Sequence, residues 1–203
     1  MALLLSVLEQ GMIYGILALG VYITYKILDF PDLTVDGSFP FGAAITVRLI
    51  NGFGVPAILT LPIAFLGGAL VGICTGLIHV KLKVRDLLSG IIMRTGLYTI
   101  NLWVAGSGYV AIFDKQNIFN NSFVNSITPG FLVNFKNVII IFLITMVAKY
   151  LLDWYMSTKS GFLLRAVGDN DTIVTSLGVD KGLVKIVGLS IANGLVSLSG
   201  CIY

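Results

Sequence analysis

Residues 55–80 run for 26 positions without a lysine, arginine, aspartate or glutamate. As an α-helix rising about 1.5 Å per residue the run would measure about 39 Å, longer than the ~30 Å hydrocarbon core of a bilayer. A segment so long and so free of charge has no place in a small water-soluble fold. Composition carries the point to the whole chain: 57% of its 203 residues are hydrophobic and only 11% are Lys, Arg, Asp or Glu, against about 25% charged residues in a soluble domain. The mean hydropathy is +0.96. Such a chain lacks the polar surface to cover a soluble globule, but a lipid-facing exterior needs none. Hydrocarbon supplies no partners for backbone N–H and C=O groups, so spanning segments of continuous apolar sequence form helices. The expected fold is an all-α polytopic transmembrane bundle.

Further apolar runs cover residues 3–25, 87–105, 137–155 and 183–203, with a shorter one at 37–50. Glu9 is the only charge in the first and lies near one end. Pro40 and Gly42 predict that the short run is tilted or broken, with its backbone facing protein or a cavity. Arg48 is placed to snorkel at its far end. Residues 51–54 form a turn. Within residues 55–80, Ala64, Gly68, Gly72 and Gly76 recur every fourth position. They align on one helix face and let a second helix approach closely; Gly11 and Gly15 repeat the spacing in the first run. Trp154 and Tyr155 are interfacial anchors. Cys74 and Cys201, both in apolar sequence, are read as small packing residues rather than disulfide or metal partners. Residues 1–25 contain no Lys or Arg and do not resemble a secretory signal. The chain stops at Tyr203 while still apolar. It is therefore read as one membrane domain over 1–203 that lacks C-terminal spans.

Charge sets the orientation. If sides alternate, residues 26–36, 79–86 and 157–182 share one side, with Lys26, Lys81, Lys83, Arg85, Lys159, Arg165 and Lys181. The other side holds Lys115 and Lys136, with Arg48 at its border. The positive-inside tendency places the first set in the cytoplasm and the N-terminus outside. The Asn-rich residues 107–136 then face outside, where the sequon at Asn120 is taken as a chance match. Basic residues are scattered rather than clustered, which leaves no footprint for nucleic acid. No H-E-x-x-H, G-x-S-x-G or acidic–histidine cluster marks an enzyme. His79 falls at the inner boundary. Asp29, Asp32 and Asp36 form an acidic inner loop, suited to pairing with Lys26 or capping the second helix. Arg94 lies inside the fourth run, where a charge is costly and often functional. It either faces a pathway, attracting a carboxylate, or snorkels inward. Tyr14, Tyr98 and Trp103 suit contact with an aromatic substrate, or simply bundle packing.

Residues 157–182 are the most informative connection. Gly161 can release the chain from the preceding helix. Residues 162–167 predict a short helix carrying Arg165 and ended by Gly168. Asp169, Asn170 and Asp171 offer caps for a second short helix at 172–177, ended by Gly178. Asp180 can cap the last span. The two short helices would expose Phe162, Leu163, Leu164, Ile173, Val174 and Leu177 at the membrane edge. Such a surface either rests on lipid and neighbouring spans or receives a soluble partner.

The order of residues adds a resemblance. Arg165-Ala166-Val167-Gly168-Asp169-Asn170, followed by Leu177-Gly178-Val179 and the apolar run 188–200, resembles the coupling segment of permeases of bacterial ATP-binding-cassette importers. The similarity is to the branched-chain amino acid permease class, more narrowly to its tryptophan/tyrosine-type members. Residues 15–21, the string Ile27-Leu28-Asp29-Phe30-Pro31-Asp32-Leu33-Thr34-Val35-Asp36-Gly37-Ser38-Phe39-Pro40, residues 90–92 and residues 97–102 are similar to the same subgroup. The resemblance implies a bacterial inner-membrane subunit that forms the substrate pathway with a second permease subunit as a homodimer. It implies ATPase subunits docked on the coupling segment, with Phe162, Leu163, Arg165, Ala166, Gly168, Asp169, Asn170 and Gly178 at the contact. An extracytoplasmic binding protein would deliver an amino acid. The family's permeases run longer than this chain. No Gly-x-x-x-x-Gly-Lys-Ser/Thr sequence is present, so ATP and magnesium would belong to the partner ATPase. The subgroup does not usually show Arg at position 94, so no role is carried over to Arg94. The alternative from the residues alone is a secondary transporter or channel, which needs no ATPase but should show coupling carboxylates at membrane depth.

Overall fold

The computed structural model describes residues 2–106, 135–176 and 178–203. All regular elements among them are helical. Helix α1 (Ala2–Tyr22) runs into a π-helical turn at Ile23–Ile27, followed by α2 (Val35–Phe53), α3 (Ala57–Leu82) and α4 (Asp86–Ala105). Beyond residue 134 come α5 (Lys136–Met156), the short helices α6 (Lys159–Asp169) and α7 (Asp171–Ser176), and α8 (Lys181–Ile202). Among the described residues, five segments are long and apolar enough to cross a membrane: Leu3–Ile27, Ala57–Leu82, Asp86–Ala105, Lys136–Met156 and Lys181–Ile202. Helix α2 has 19 residues but a more polar sequence.

Helix α8 is the core of the bundle. It packs against α3 along most of its length, and against α2 and α1 on its other sides. The α3 contact is close because small residues remove the bulk that normally separates two helices. A methyl group on Gly68 would strike the carbonyl of Asn193, one on Gly72 that of Leu189, and one on Gly76 the side chain and backbone of Ile186. Helix α2 approaches in the same way, with Gly42 against the Ser197 carbonyl. Gly11 and Gly15 differ, since each faces open space. Helix α5 packs on α1, and α4 lies outside α2.

Helix α2 is continuous through Pro40, although that residue removes one N–H from the ladder. The irregular backbone lies before the helix. The π turn closes with Leu28 N–H on the Ile23 carbonyl (3.0 Å), and Phe30 N–H bonds to the Thr24 carbonyl (2.9 Å). Asp29 then takes a left-handed conformation at φ 50°. Leu28, Phe30, Asp32 and Thr34 are all buried. Non-helical backbone at this position is tolerable because protein, not lipid, surrounds it.

Residues 28–34, the α3–α4 turn and α6 lie at one end of the bundle. Gly168 packs on the Ile27 carbonyl, and Gly188 at the start of α8 meets both Leu28 and Leu164. Phe30 makes an edge contact with His79 at 5.1 Å between ring centres.

Candidate functional site, a surface helix pair above a buried polar cluster

Helix α6 starts earlier than the glycine spacing predicts. Thr158 caps it, its hydroxyl accepting from Gly161 N–H and donating to the Tyr155 carbonyl at 2.6 Å. Gly161 therefore sits in the first turn, where its missing side chain lets the helix fold back over Tyr155 and Met156. Gly168 does not end the helix. It lies in the last turn, and its bare Cα allows contact with the Ile27 carbonyl. Asn170 ends α6 and starts α7, its side-chain oxygen accepting from Thr172 N–H at 3.0 Å. Gly178 follows with φ 76°, a left-handed value natural for glycine after a helix. Asp180 caps α8 through Gly182 N–H at 2.8 Å.

The pair has two faces. Leu164, Val167 and Val174 are buried, with Leu164 at 0% exposure. Leu164 and Val174 were expected at the membrane edge; the structure turns them into the bundle, because the helices dock on the spans. Outward lie Phe162 (64% exposed), Arg165, Asp169 and Asn170, with Leu163 and Ala166 half-buried. Gly178 is exposed as well. The side chains of Ile173 and Leu177 lie outside the described residues.

Directly inward, residues 28–34 connect this docked face to a buried polar cluster. Asp32 Oδ1 accepts from Thr34 N–H at 2.8 Å, and its Oδ2 accepts from the Asn193 amide at 2.8 Å. The same amide reaches the Leu189 carbonyl at 3.1 Å. Asn193 Oδ1 accepts from the Ser38 hydroxyl at 2.6 Å, while the Thr34 and Thr75 hydroxyls are 3.1 Å apart. Asp32 thus ties the loop, α2 and α8 together, and Thr34 joins α3 to them. Burial of these groups is tolerable because each has a partner.

The sequence places Asp32 in an acidic inner loop, suited to pairing with Lys26 or capping the second helix, and gives Asn193 no role. The available signal was Ser190, Asn193 and Ser197, a polar stripe at helical spacing inside an apolar run. Ser197 donates to the Ala64 carbonyl at 2.7 Å, the position that opens the small-residue ridge. Asp36 is separate from Asp32. It pairs with Arg94 at 3.2 Å, joining α2 to α4 with both side chains half-exposed. Arg94 therefore has a carboxylate partner. Tyr98 and Trp103 are 69% and 83% exposed on the outer side of α4, so the described residues do not enclose them. Tyr14 instead meets Phe39 (6.0 Å) and Tyr203 (6.1 Å) in a three-ring group between α1, α2 and α8.

A bundle of apolar helices, with capped surface helices packed onto one end, defines an integral membrane protein. Comparison with known proteins fixes the family. The model for the permease component of branched-chain amino acid transport systems matches residues 3–203, and the chain belongs to that family. It is 42% identical over 198 residues to a tyrosine transport system permease protein of Clostridioides difficile, covering 97% of this chain and 62% of that one. It is 30% identical to an uncharacterized protein of Rickettsia prowazekii, covering 98% and 67%. A branched-chain amino acid transport permease protein of Methanocaldococcus jannaschii, described as probable, is 26% identical, covering 96% and 64%. The chain thus spans less of these relatives than they span of it. No solved structure matches.

Proposed function

We propose that this chain is the membrane-spanning part of an ATP-driven importer of the bacterial inner membrane, with an aromatic amino acid as substrate. Family membership and the 42% identity to a protein named for tyrosine transport support this reading. The N-terminus lies outside and α6–α7 lie in the cytoplasm. A second permease subunit, in a homodimer, completes the pathway. A binding protein delivers substrate, and a separate ATPase binds ATP and magnesium. The observation that carries the coupling role is the two-faced α6. Phe162, Arg165 and Asp169 point outward, while Leu164 and Gly168 fasten the helix to residues 27–28 and α8. Force on the outer face reaches the start of α8 through Gly188, and the Asp32–Asn193 cluster through the buried loop.

Arg94 and Asp36 offer the two charges complementary to an amino-acid zwitterion. With Tyr98 and Trp103 they line a pathway only where a second subunit faces α4.

The buried Asp32 is also what an ion-coupled carrier would use. Its two oxygens are already taken by Thr34 and Asn193, which favours a structural tie. The test is to purify the full-length gene product with the products of neighbouring genes and to measure substrate-stimulated ATP hydrolysis. Reversal of charge in Arg165→Glu is expected to weaken ATPase binding about tenfold or more, the scale of an interfacial arginine anchor, with membrane insertion unchanged. Unaltered stimulation would remove Arg165 from the contact. Transport without any ATPase would sink the importer reading in favour of a secondary transporter.

A further inference from the structure

At the end of the bundle that carries α6, a cavity of about 450 Å³ opens between the α3–α4 turn and the first turn of α8. This volume lies within the usual range for small-ligand sites. Four cationic side chains line it: Lys83 and Arg85 from the turn, Lys181 and Lys185 from α8. Two carboxylates, Asp86 and Asp180, also border it. Against the four cations they leave the lining a formal net charge of +2. Asp180 accepts from Gly182 N–H, and Asp86 lies 3.5 Å from His79 Nδ1. His79 Nδ1 donates to the Val84 carbonyl at 2.9 Å, which fixes the turn. Among the described residues, no carboxylate forms an ion pair with Lys83, Arg85 or Lys185.

The backbone adds an independent sign. Lys83 ends α3 in a left-handed conformation, φ 53°. Glycine is the residue that takes such a position without strain. A lysine held there keeps an ammonium group at the cavity mouth. The flanking residues show what the site adjoins. Leu82 and Leu183, chain neighbours of Lys83 and Gly182, are exposed and apolar, and both helices that form the cavity are membrane-length.

We propose that this cavity binds a phosphate-ester anion, carried by an anionic phospholipid whose acyl chains lie over Leu82 and Leu183. Basic pockets between spans at a membrane boundary suit this chemistry. The cations compensate the phosphate, and the site anchors the α3–α4 turn to the start of α8. This inference does not rest on the importer reading. Its failure would leave that reading intact.

The test is thermal unfolding of the purified chain in detergent after lipid removal, with additions of dioleoyl-phosphatidylglycerol, dioleoyl-phosphatidylcholine or inorganic phosphate. Phosphatidylglycerol near 100 times its Kd is expected to raise Tm by about 5–10 °C, and phosphatidylcholine is expected to leave it unchanged. The triple variant Lys83→Gln, Arg85→Gln, Lys185→Gln should lose the rise, and Lys159→Gln, on α6, should keep it. Lys83→Gly provides a second comparison, because it removes the ammonium while relieving the backbone; the rise should shrink there too. An equal rise with inorganic phosphate would overturn the lipid assignment and make the occupant a soluble anion. A rise retained in the triple variant and in Lys83→Gly, or lost equally in Lys159→Gln, would overturn the site.

Discussion

Asn193 holds more of this molecule together than any charged residue. Its amide donates to Asp32 and its carbonyl accepts from Ser38, so one side chain on α8 satisfies a buried carboxylate and a buried hydroxyl. Asn193→Leu keeps the branching at Cγ but leaves Asp32 with the Thr34 N–H alone. A hydrogen bond to a charged group contributes about 1.5–3 kcal/mol, so this variant is expected to lose about 2 kcal/mol in denaturant unfolding in detergent. Asp32→Asn removes the charge that needs compensation; it keeps one acceptor for Thr34 N–H and turns the other into a donor, which Asn193 can meet by turning its amide over, so it should lose less. The reverse order would show that Asp32 does not depend on Asn193. The acidic loop was only partly legible before the structure. Asp29, Asp32 and Asp36 look alike in sequence, yet Asp29 is exposed, Asp32 is buried and Asp36 pairs with Arg94. What separates them is contact with residues far along the chain, which no local pattern records.

Among the elements, the long helices were readable because continuous apolar length is a local property. The ridge Ala64, Gly68, Gly72 and Gly76 was readable as a spacing, but its partner α8 was not, since the spacing says only that something comes close. Gly11 and Gly15 have the same spacing and face no neighbour. The contrast makes a prediction with opposite signs. Gly15→Ala removes backbone freedom from a helix and is expected to stabilise by about 0.5–1 kcal/mol. Gly72→Ala pushes a methyl group onto the Leu189 backbone and is expected to destabilise by about 1–3 kcal/mol. Denaturant unfolding of the two variants checks both. Helix α6 was misjudged at its ends for a related reason. Gly161 and Gly168 look like helix breakers, but they serve close approach to Tyr155–Met156 and to Ile27.

For the whole molecule, three connections share one end: residues 26–36, the α3–α4 turn and the α6–α7 pair. An orientation with that end in the cytoplasm predicts the outcome of site-directed labelling. In a chain with Cys74→Ala and Cys201→Ala, a cysteine placed by Arg165→Cys should react with a membrane-impermeant maleimide only in inside-out vesicles. Reaction in intact cells would invert the orientation. The central position of α8 also bears on synthesis. Asn193 follows Asp32 by 161 residues, so at about 5–20 residues per second the ribosome needs about 8–30 s to deliver it. During that interval α2 and α3 are made and wait with their small-residue faces unfilled, and Asp32 lacks its amide throughout. Helix α8 is thus a late-arriving keystone, and insertion of this protein demands a shelter that holds the earlier helices together until it comes.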